Sequence, residues 1–173
     1  MERTELAKKI FQTSHITGEF LLRSGKISNE YFDKYLFESD PELLAEIAAQ
    51  MVSLVPDDTD MLAGLEMGGI PLATAISLKN NMSSLFVRKK AKEYGTRKLA
   101  EGKSFSGKNL CIIEDVVTTG GQIIESANEL RKLGAKVENV LCVIVREDSA
   151  FDKLAAAGLK LIPLFSMKEL KEA

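Results

Sequence analysis

The stretch Leu110-Cys-Ile-Ile-Glu-Asp-Val-Val-Thr-Thr-Gly-Gly-Gln122 carries an apolar run, two adjacent acids and a glycine turn before a helical pattern. Glycines let the backbone approach an anion closely, and the first turn of a helix favours a phosphate. The acids would repel a phosphate placed against them, but they can accept hydrogen bonds from ribose hydroxyls. The stretch therefore predicts a ribose 5-phosphate site. The simpler interpretation is a strand that ends in a polar turn with an acidic helix cap.

Apolar runs rich in branched residues alternate with helical patterns along most of the chain. We predict buried strands at residues 61–65, 85–87, 110–113 and 141–145. The predicted helices are one capped by Asp40, one from Pro71 to Asn80, one at 122–133, and one with a capping box of Ser149 and Asp152. This alternation is typical of an α/β fold, a Rossmann-like parallel sheet flanked by helices.

The chain as a whole, residues 1–173, is expected to form a single domain. Residues 1–38 do not follow the strand and helix alternation and carry aromatic and glycine residues instead. We expect them to form a small N-terminal hood over the edge of the sheet, with the core at about 39–173.

Composition excludes several classes of protein. The formal net charge is −2, so the chain has no overall attraction for nucleic acid. Cys111 and Cys142 each stand in an apolar run, which is typical of buried free thiols in a reducing compartment. The sequence has neither an apolar stretch of membrane-spanning length nor the apolar core of a signal peptide. We therefore expect a cytoplasmic protein with no membrane or nucleic-acid partner.

The glycine turn fits neither the Walker loop, since no Gly-Lys-Ser/Thr follows, nor the dinucleotide motif Gly-x-Gly-x-x-Gly. Residues 110–122 instead resemble the phosphoribosyl-diphosphate motif of type I phosphoribosyltransferases, with four apolar residues, two acids, two apolar residues and Thr-x-Gly. The resemblance implies that this donor binds here, with the acids on the ribose hydroxyls. The implied donor-binding residues are Glu114, Asp115, Val116, Val117, Thr118, Thr119, Gly120, Gly121 and Gln122.

Three further stretches resemble orotate phosphoribosyltransferases, so the likeness covers nearly the whole chain. Residues 18–25, with Ser28 and residues 31–33, resemble the hood on the substrate side of that family. Residues 64–73 resemble its diphosphate-binding loop. Residues 88–95, continuing to 101–102, resemble its mobile catalytic loop, which would span about 89–103 here.

The likeness implies roles for the basic residues of that loop. Arg88, Lys89 and Lys92 would contact the diphosphate, with Lys92 reaching across from the neighbouring subunit of a homodimer with shared active sites. The implied catalytic residues are Lys92, Glu114 and Asp115. Mg²⁺ would be bound mainly through the diphosphate and ribose, with no dedicated protein ligands. Without the resemblance, a run of cations is usually a solvated face, but its place directly after a strand of the predicted sheet favours an anion site.

Orotate is a planar pyrimidine with a carboxylate, so its site needs an aromatic or apolar wall and cations. The candidates are Arg23, Tyr31, Phe32, Thr118 and Arg146. Arg146 could alternatively form a surface ion pair with the acids that follow it, and Phe32 could simply pack in the core.

Two positions depart from the family pattern. Tyr94 stands where family loops commonly carry a histidine, and a tyrosine is a poor proton donor near neutral pH. Met67-Gly68 stands where many members have an aromatic residue followed by lysine, which removes one cation. The only histidine, His15, is expected in a helix or turn with a structural role.

The resemblance implies transfer of the 5-phosphoribosyl group from phosphoribosyl diphosphate to orotate, giving orotidine 5-phosphate in pyrimidine biosynthesis. A second interpretation is transfer to another base, uracil or a purine. A third is a non-catalytic sensor of phosphoribosyl diphosphate that regulates transcription. The sensor is disfavoured because residues 1–38 show no helix-turn-helix pattern and no basic arm.

Overall fold

A computed structural model describes residues 1–22, 24–93 and 98–173. The chain begins with a helix, an antiparallel hairpin and a short second helix: α1 (Arg3–Ser14), β1 (His15–Leu21), β2 (Ile27–Phe32) and α2 (Lys34–Ser39). Asp33 is the N-cap of α2, since its carboxylate accepts a hydrogen bond from the backbone N–H of Tyr35 at 3.1 Å. Only Asp33 therefore separates the hairpin from α2.

The centre of the molecule is a six-stranded sheet in the order β5-β4-β3-β6-β7-β8. Neighbouring strands are parallel except β4 and β5, which pair antiparallel. The strands are β3 (Met61–Leu65), β4 (Ser84–Val87), β5 (Ala100–Glu101), β6 (Asn109–Val117), β7 (Lys136–Val145) and β8 (Lys160–Ser166). The predicted α/β fold with a largely parallel sheet is confirmed.

The remaining helices are α3 (Pro41–Val52), α4 (Gly69–Asn80), α5 (Gly121–Lys132), α6 (Ser149–Ala156) and α7 (Met167–Glu172). Asp40 caps α3 as predicted, because its Oδ1 accepts hydrogen bonds from the backbone N–H groups of Glu42 and Leu43. Within the described part of the chain, no helix has the length and apolar character needed to cross a bilayer.

Two apolar cores lie on opposite faces of the sheet, because alternate residues of a buried strand point to opposite sides. On β6, Leu110 and Ile112 belong to the core that includes α5 and α6, whereas Cys111 and Ile113 belong to the core that includes α1, α3 and α4. Cys111 and Cys142 are free thiols in different cores, and burial raises the pKa of Cys111 to about 12. Both thiols therefore serve as small apolar side chains.

The N-terminal residues divide between a core and the hairpin. Leu6, Ala7 and Ile10 of α1 are buried in the second core, which is the core that includes α1, α3 and α4. The strands β1 and β2 pair with each other, and each of their side chains keeps some exposure to solvent. Of the expected hood, the hairpin is the more exposed part, and its partly buried Phe32 packs against the core that includes α1.

The capping box predicted at Ser149 and Asp152 is wrong, because α6 begins without any side-chain cap. A capping box does form at α7, where Ser166 and Glu169 each accept a hydrogen bond from the other's backbone N–H. The motif, a serine followed three residues later by an acid, therefore caps α7 and not α6.

Two other local predictions differ in position. The helix predicted to open at Pro71 begins at Gly69, since proline is tolerated in the first turn, where the N–H has no intrahelical acceptor. His15, expected in a helix or turn, is the first residue of β1. Its ring stacks on Phe11 at 4.8 Å, and its Nε2 lies 2.8 Å from Glu30 Oε2.

Candidate active site

A cleft of about 370 Å³ opens where β3, β4 and β6 end. The carboxyl ends of parallel strands form one edge of the sheet, which is where ligands bind in open α/β folds. The lining residues come from α2, the two loops after β3 and β4, and the end of β6 with its turn: Lys34, Tyr35, Glu66, Met67, Lys89 and residues 114–123. Every donor-binding residue predicted from the sequence lines this cleft except Arg88 and Lys92.

The two acids lie within β6 and not after it. The sequence predicts a strand that ends at Ile113, but β6 continues to Val117 because β7 provides a backbone partner as far as Val145. The side chain of Asp115 is 0% exposed. Burial raises the pKa of Glu114 well above its usual range, and the charge of Asp115 raises it further. Neighbouring groups, not bulk water, therefore set the protonation of this pair.

The turn after β6 is built for an anion. Gly120, the N-cap of α5, has a φ of 77°, a left-handed conformation that favours glycine. The exposed side chains of Thr118 and Thr119 precede it, and Gly121 begins the helix. The first N–H groups of a helix have no intrahelical acceptor, and the first turn of α5 carries no acid. This end of the cleft can therefore hold a phosphate.

The loop after β3 reaches the cleft through closely packed glycines. A Cβ on Gly69 would lie 2.2 Å from the carbonyl oxygen of Ile113, so the loop lies directly against β6. A Cβ on Gly68 would lie 1.7 Å from Asp115 Oδ2. This contact explains why position 68 holds glycine where many family members have lysine. The carboxylate of Asp115 occupies the space that a side chain at position 68 would need.

The helix α2 contributes two charged residues that sequence analysis missed, Lys34 and Glu38. Lys34 Nζ lies 2.5 Å from Asp115 Oδ2, and Glu38 is only 7% exposed beside the same carboxylate. Burial raises the pKa of Glu38 to about 8, and the adjacent Asp115 carboxyl group raises it further. Burial also raises the pKa of Asp115, but the neighbouring Lys34 and Glu38 outweigh it, so the net shift is downward.

One feature of the sequence could have identified Lys34 and Glu38. They are four residues apart, one helical turn, in the helix that follows the N-cap Asp33. Such a pair is common on solvated helix faces, so the spacing alone does not indicate a site.

Two of the predicted loop cations lie outside the cleft, on the acid of β5. Lys92 forms an ion pair with Glu101, and Arg88 Nη2 lies 3.6 Å from the same carboxylate oxygen. The hydrogen bond from Lys92 lowers the pKa of Glu101. Lys89 does line the cleft, and its backbone N–H donates to Glu66 Oε1 at 2.5 Å. That bond ties the loop after β3 to the segment after β4.

Two of the orotate candidates lie together near the end of β7. The backbone N–H of Arg146 donates to the carbonyl of Val117 at 2.8 Å, which places Arg146 beside the glycine turn. Its guanidinium carbon lies 5.7 Å from the centre of the Phe32 ring, a cation–π contact. Phe32 also packs against the second core, so the core interpretation of this residue is partly correct.

The remaining candidates are not gathered in one place. Tyr31 packs against Phe20 on the hairpin, with ring centroids 5.6 Å apart and the ring planes tilted by 32°. Consecutive strand residues point to opposite sides, so Tyr31 faces away from Phe32. Thr118 lies in the glycine turn of the cleft. Arg23 and Tyr94 fall outside the described residues.

The acids are poorly suited to serve as dedicated metal ligands. In the described ranges no three His, Cys, Asp or Glu side chains come together as a metal site. One oxygen of Asp115 is engaged by Lys34. A divalent cation in this cleft would therefore draw most of its ligands from an incoming diphosphate, whose oxygens are hard donors suited to Mg²⁺.

Comparisons of the sequence and of the structure with known proteins indicate the same family. A family profile described as "Phosphoribosyl transferase domain" matches residues 38–169. An orotate phosphoribosyltransferase of a Nocardioides species is 49% identical over 168 residues, covering 97% of this chain and 94% of that protein. Another, from Methanocella arvoryzae, is 40% identical and covers 96% of each chain.

Solved structures agree with these relatives. Orotate phosphoribosyltransferase of Mycobacterium tuberculosis, in complex with Fe(III) dicitrate, superimposes with a TM-score of 0.87 at 29% identity, covering 97% of this chain and 98% of that one. The same enzyme in complex with 5-phospho-alpha-D-ribosyl 1-diphosphate gives a TM-score of 0.82 at 27% identity, with 98% of each chain covered.

Proposed function

Since this chain belongs to the phosphoribosyl transferase domain family, we propose that it transfers the 5-phosphoribosyl group from phosphoribosyl diphosphate to orotate. The products are orotidine 5-phosphate and diphosphate, a step of de novo pyrimidine biosynthesis. The observation that carries this proposal is the 49% identity to a relative named orotate phosphoribosyltransferase, over nearly the full length of both chains. The cleft that joins paired acids to an anion-binding turn supports the same reaction.

The donor binds along the end of β6. The residues from Thr118 to Gln122 enclose the 5-phosphate, because the turn offers free N–H groups, hydroxyls and the positive end of α5. Asp115 and Glu114 accept hydrogen bonds from the ribose hydroxyls. The diphosphate then extends toward the loop after β3, because residues 64–73 resemble the diphosphate-binding loop of the family.

In the reaction, the bond between the anomeric carbon and the diphosphate oxygen breaks, and its electron pair leaves with the diphosphate. A ring nitrogen of orotate then forms the new bond to the carbon, and the proton that this nitrogen carried passes to the departing diphosphate or to water. Lys89, Arg88 and Lys92 neutralise the departing diphosphate, which is electrostatic stabilisation of charge that develops in the transition state. The negative charge of Asp115 offsets the positive charge that grows on the ribose.

Arg88 and Lys92 have to leave Glu101 before they can act on the diphosphate. In a homodimer with shared active sites, Lys92 acts in the site of the neighbouring subunit. Closure of the loop at about 89–103 excludes water, which would otherwise attack the anomeric carbon and waste the donor.

Mg²⁺ would be held mainly through the diphosphate and ribose of the donor, and when bound it would supply charge neutralisation for the leaving group. The base lies near Phe32, Arg146 and Thr118, where an aromatic ring and a cation come together beside the glycine turn. Arg23 remains a candidate from its resemblance to the family hood alone. The enzyme works in the cytoplasm, in keeping with the two free, buried thiols.

The test is a panel of bases assayed with phosphoribosyl diphosphate and Mg²⁺, read by diphosphate release. Orotate should be used, and uracil, hypoxanthine, guanine and adenine should be largely ignored, because a site built to pair a charge rejects analogues that lack it. Preference for uracil or a purine would favour the second interpretation. Donor binding without turnover of any base would favour the sensor.

A further inference from the structure

We propose that Lys34 and Glu38 are positioning residues that hold the Asp115 carboxylate ready for the ribose of the donor, an inference that rests on the proposed function. Both residues are on α2, outside the stretch of residues 110–122 that resembles the donor motif. They are one helical turn apart and therefore share one face of the helix. That face is turned toward Asp115.

Lys34 provides the counter-charge of Asp115. The carboxylate is 0% exposed, and a buried charge is tolerated only when it is paired and hydrogen-bonded. Lys34 Nζ lies 2.5 Å from Asp115 Oδ2 and also lies 5.2 Å from the centre of the Tyr35 ring. The ammonium group thus has two contacts that fix its place, and it fixes one oxygen of the acid in turn.

Glu38 places a second buried carboxyl group beside the same acid. Its side chain is 7% exposed, and its Oε1 has no hydrogen-bond partner among the described residues. A Cβ on Gly68 would lie 2.8 Å from this oxygen and 1.7 Å from Asp115 Oδ2, so the two carboxyl groups are adjacent in a space that only a glycine leaves open. Two adjacent buried carboxyls do not both ionise, so Glu38 keeps a proton and donates it to Asp115.

This arrangement defines what each substitution removes. Glu38→Gln keeps a donor of the same shape, because the amide N–H₂ replaces the carboxyl O–H. Glu38→Ala removes the donor and leaves Asp115 free to change rotamer. Lys34→Met removes the counter-charge but keeps the length of the side chain, whereas Lys34→Arg keeps the charge.

The decisive measurement is the affinity for the Mg²⁺ complex of phosphoribosyl diphosphate by titration calorimetry without base, together with the Michaelis constants for donor and orotate. Glu38→Ala and Lys34→Met should each weaken donor binding by about tenfold or more, a change of roughly 1.4 kcal/mol, and leave the Michaelis constant for orotate within about twofold. Glu38→Gln and Lys34→Arg should restore most of the lost affinity. Glu138→Gln, at an exposed acid on β7, is the control.

The outcomes separate this inference from the proposed function. If Glu38→Gln weakens donor binding as much as Glu38→Ala, Glu38 acts as a charged ligand and the positioning role is wrong. Unchanged donor affinity in Glu38→Ala and Lys34→Met also overturns it, while orotate turnover by the wild type leaves the proposed function intact. If the wild type binds the donor but ignores orotate, the proposed function fails and the calorimetric comparison still tests the positioning role. If Glu38→Ala does not fold, the Lys34 variants decide, since that side chain is 33% exposed and less essential to packing.

Discussion

Asp115 shows how much of the site depends on one buried carboxylate. It contacts its own strand, where the backbone N–H of Val116 donates to its Oδ1 at 2.5 Å, and it lies beside Lys34 and Glu38 of α2. Gly68 lies against its other oxygen. A substitution at one of these neighbours is therefore expected to move the Asp115 carboxylate and weaken ribose binding, even though the substituted residue does not contact the substrate.

Glu38→Gln should stabilise the fold increasingly as the pH rises. Glu38 has a pKa of about 8 in the folded chain against 4.5 in the unfolded chain, chiefly because it is buried. Between these values the unfolded chain loses the proton while the folded chain keeps it, so the stability of the wild type falls with pH, by about 1.4 kcal/mol per unit. Glutamine does not titrate and avoids this loss.

The measurement is the free energy of unfolding in urea at pH 5, 6.5 and 8. The advantage of Glu38→Gln over the wild type should grow by about 2–4 kcal/mol from pH 5 to pH 8. Glu138→Gln is the control, and its difference from the wild type should stay flat. Parallel curves for the wild type and Glu38→Gln would mean that Glu38 is ionised in the folded protein.

At the scale of elements, the unit formed by β6, its turn and α5 could be predicted because its residues obey local rules. A branched apolar run, paired acids and glycines at fixed spacing indicate a strand, a turn and a helix start without knowledge of the rest of the chain. The extension of β6 beyond Ile113 could not be predicted, since it depends on pairing with β7, a contact between distant residues.

Other elements escaped prediction for related reasons. β8 contains Pro163, which argues against a strand but is tolerated here because β8 is at the edge of the sheet. The hairpin β1–β2 has little apolar alternation, since its side chains keep some exposure. Lys34 and Glu38 have an ordinary surface spacing, and only the packing of α2 against Asp115 gives them a role.

In the glycine turn, alanine should have opposite effects on stability at the two neighbouring positions 120 and 121. Gly120→Ala should destabilise the protein by about 1–2 kcal/mol, because a left-handed φ strains any residue with a Cβ, and that Cβ would lie 3.0 Å from Leu154 Cγ. Gly121→Ala should stabilise α5 by up to about 1 kcal/mol, since alanine is the better helix former. Among the described residues, its Cβ would come within 4 Å of Lys153 Nζ alone, at 3.6 Å.

Urea unfolding of the two variants beside the wild type measures the contrast. Both substitutions add one methyl group within the same turn, so each serves as the matched control of the other. Equal stability of the two variants would contradict the left-handed geometry assigned to Gly120.

At the scale of the whole molecule, one chain holds two of its predicted diphosphate-binding cations, Arg88 and Lys92, away from its own cleft. Lys92 and Arg88 are bound to Glu101, whereas the cleft contains Lys89 and Lys34. A second copy of the chain that supplies Lys92 would complete the site, and a twofold dimer is the commonest closed assembly that allows this exchange.

Subunit mixing tests the shared site. Asp115→Asn should lower turnover by on the order of 10²-fold, roughly 2.7 kcal/mol, and Lys92→Ala should also be nearly inactive. After exchange of equal amounts of the two variants, half of the dimers are mixed and each has one intact site, so activity should recover to about one quarter of the wild type. No recovery after demonstrated exchange would place Lys92 in the site of its own chain.

Base selectivity is the property in which the hairpin, the end of β7 and the donor cleft act together. Arg146 lies beside the glycine turn through its backbone bond to Val117, and its guanidinium lies over Phe32. A cation in that position can pair with the carboxylate that orotate has and uracil lacks. Because the pair would be charge-assisted, its loss should cost about 1.5–3 kcal/mol, which corresponds to about ten- to a hundredfold in affinity.

Arg146→Ala should therefore raise the Michaelis constant for orotate by about ten- to a hundredfold and leave that for phosphoribosyl diphosphate within about twofold. It should also lower the ratio of kcat/KM for orotate to kcat/KM for uracil, because the variant loses the group that distinguishes the two bases. Arg146→Lys should fall between, since lysine keeps the charge but not the planar, two-pronged geometry. Lys168→Ala, at an exposed residue of α7, is the control for a lost surface charge. An equal rise in both Michaelis constants would mean that Arg146 supports the donor turn, and the contact for the orotate carboxylate would then have to come from elsewhere, with Arg23 the remaining cation named for it.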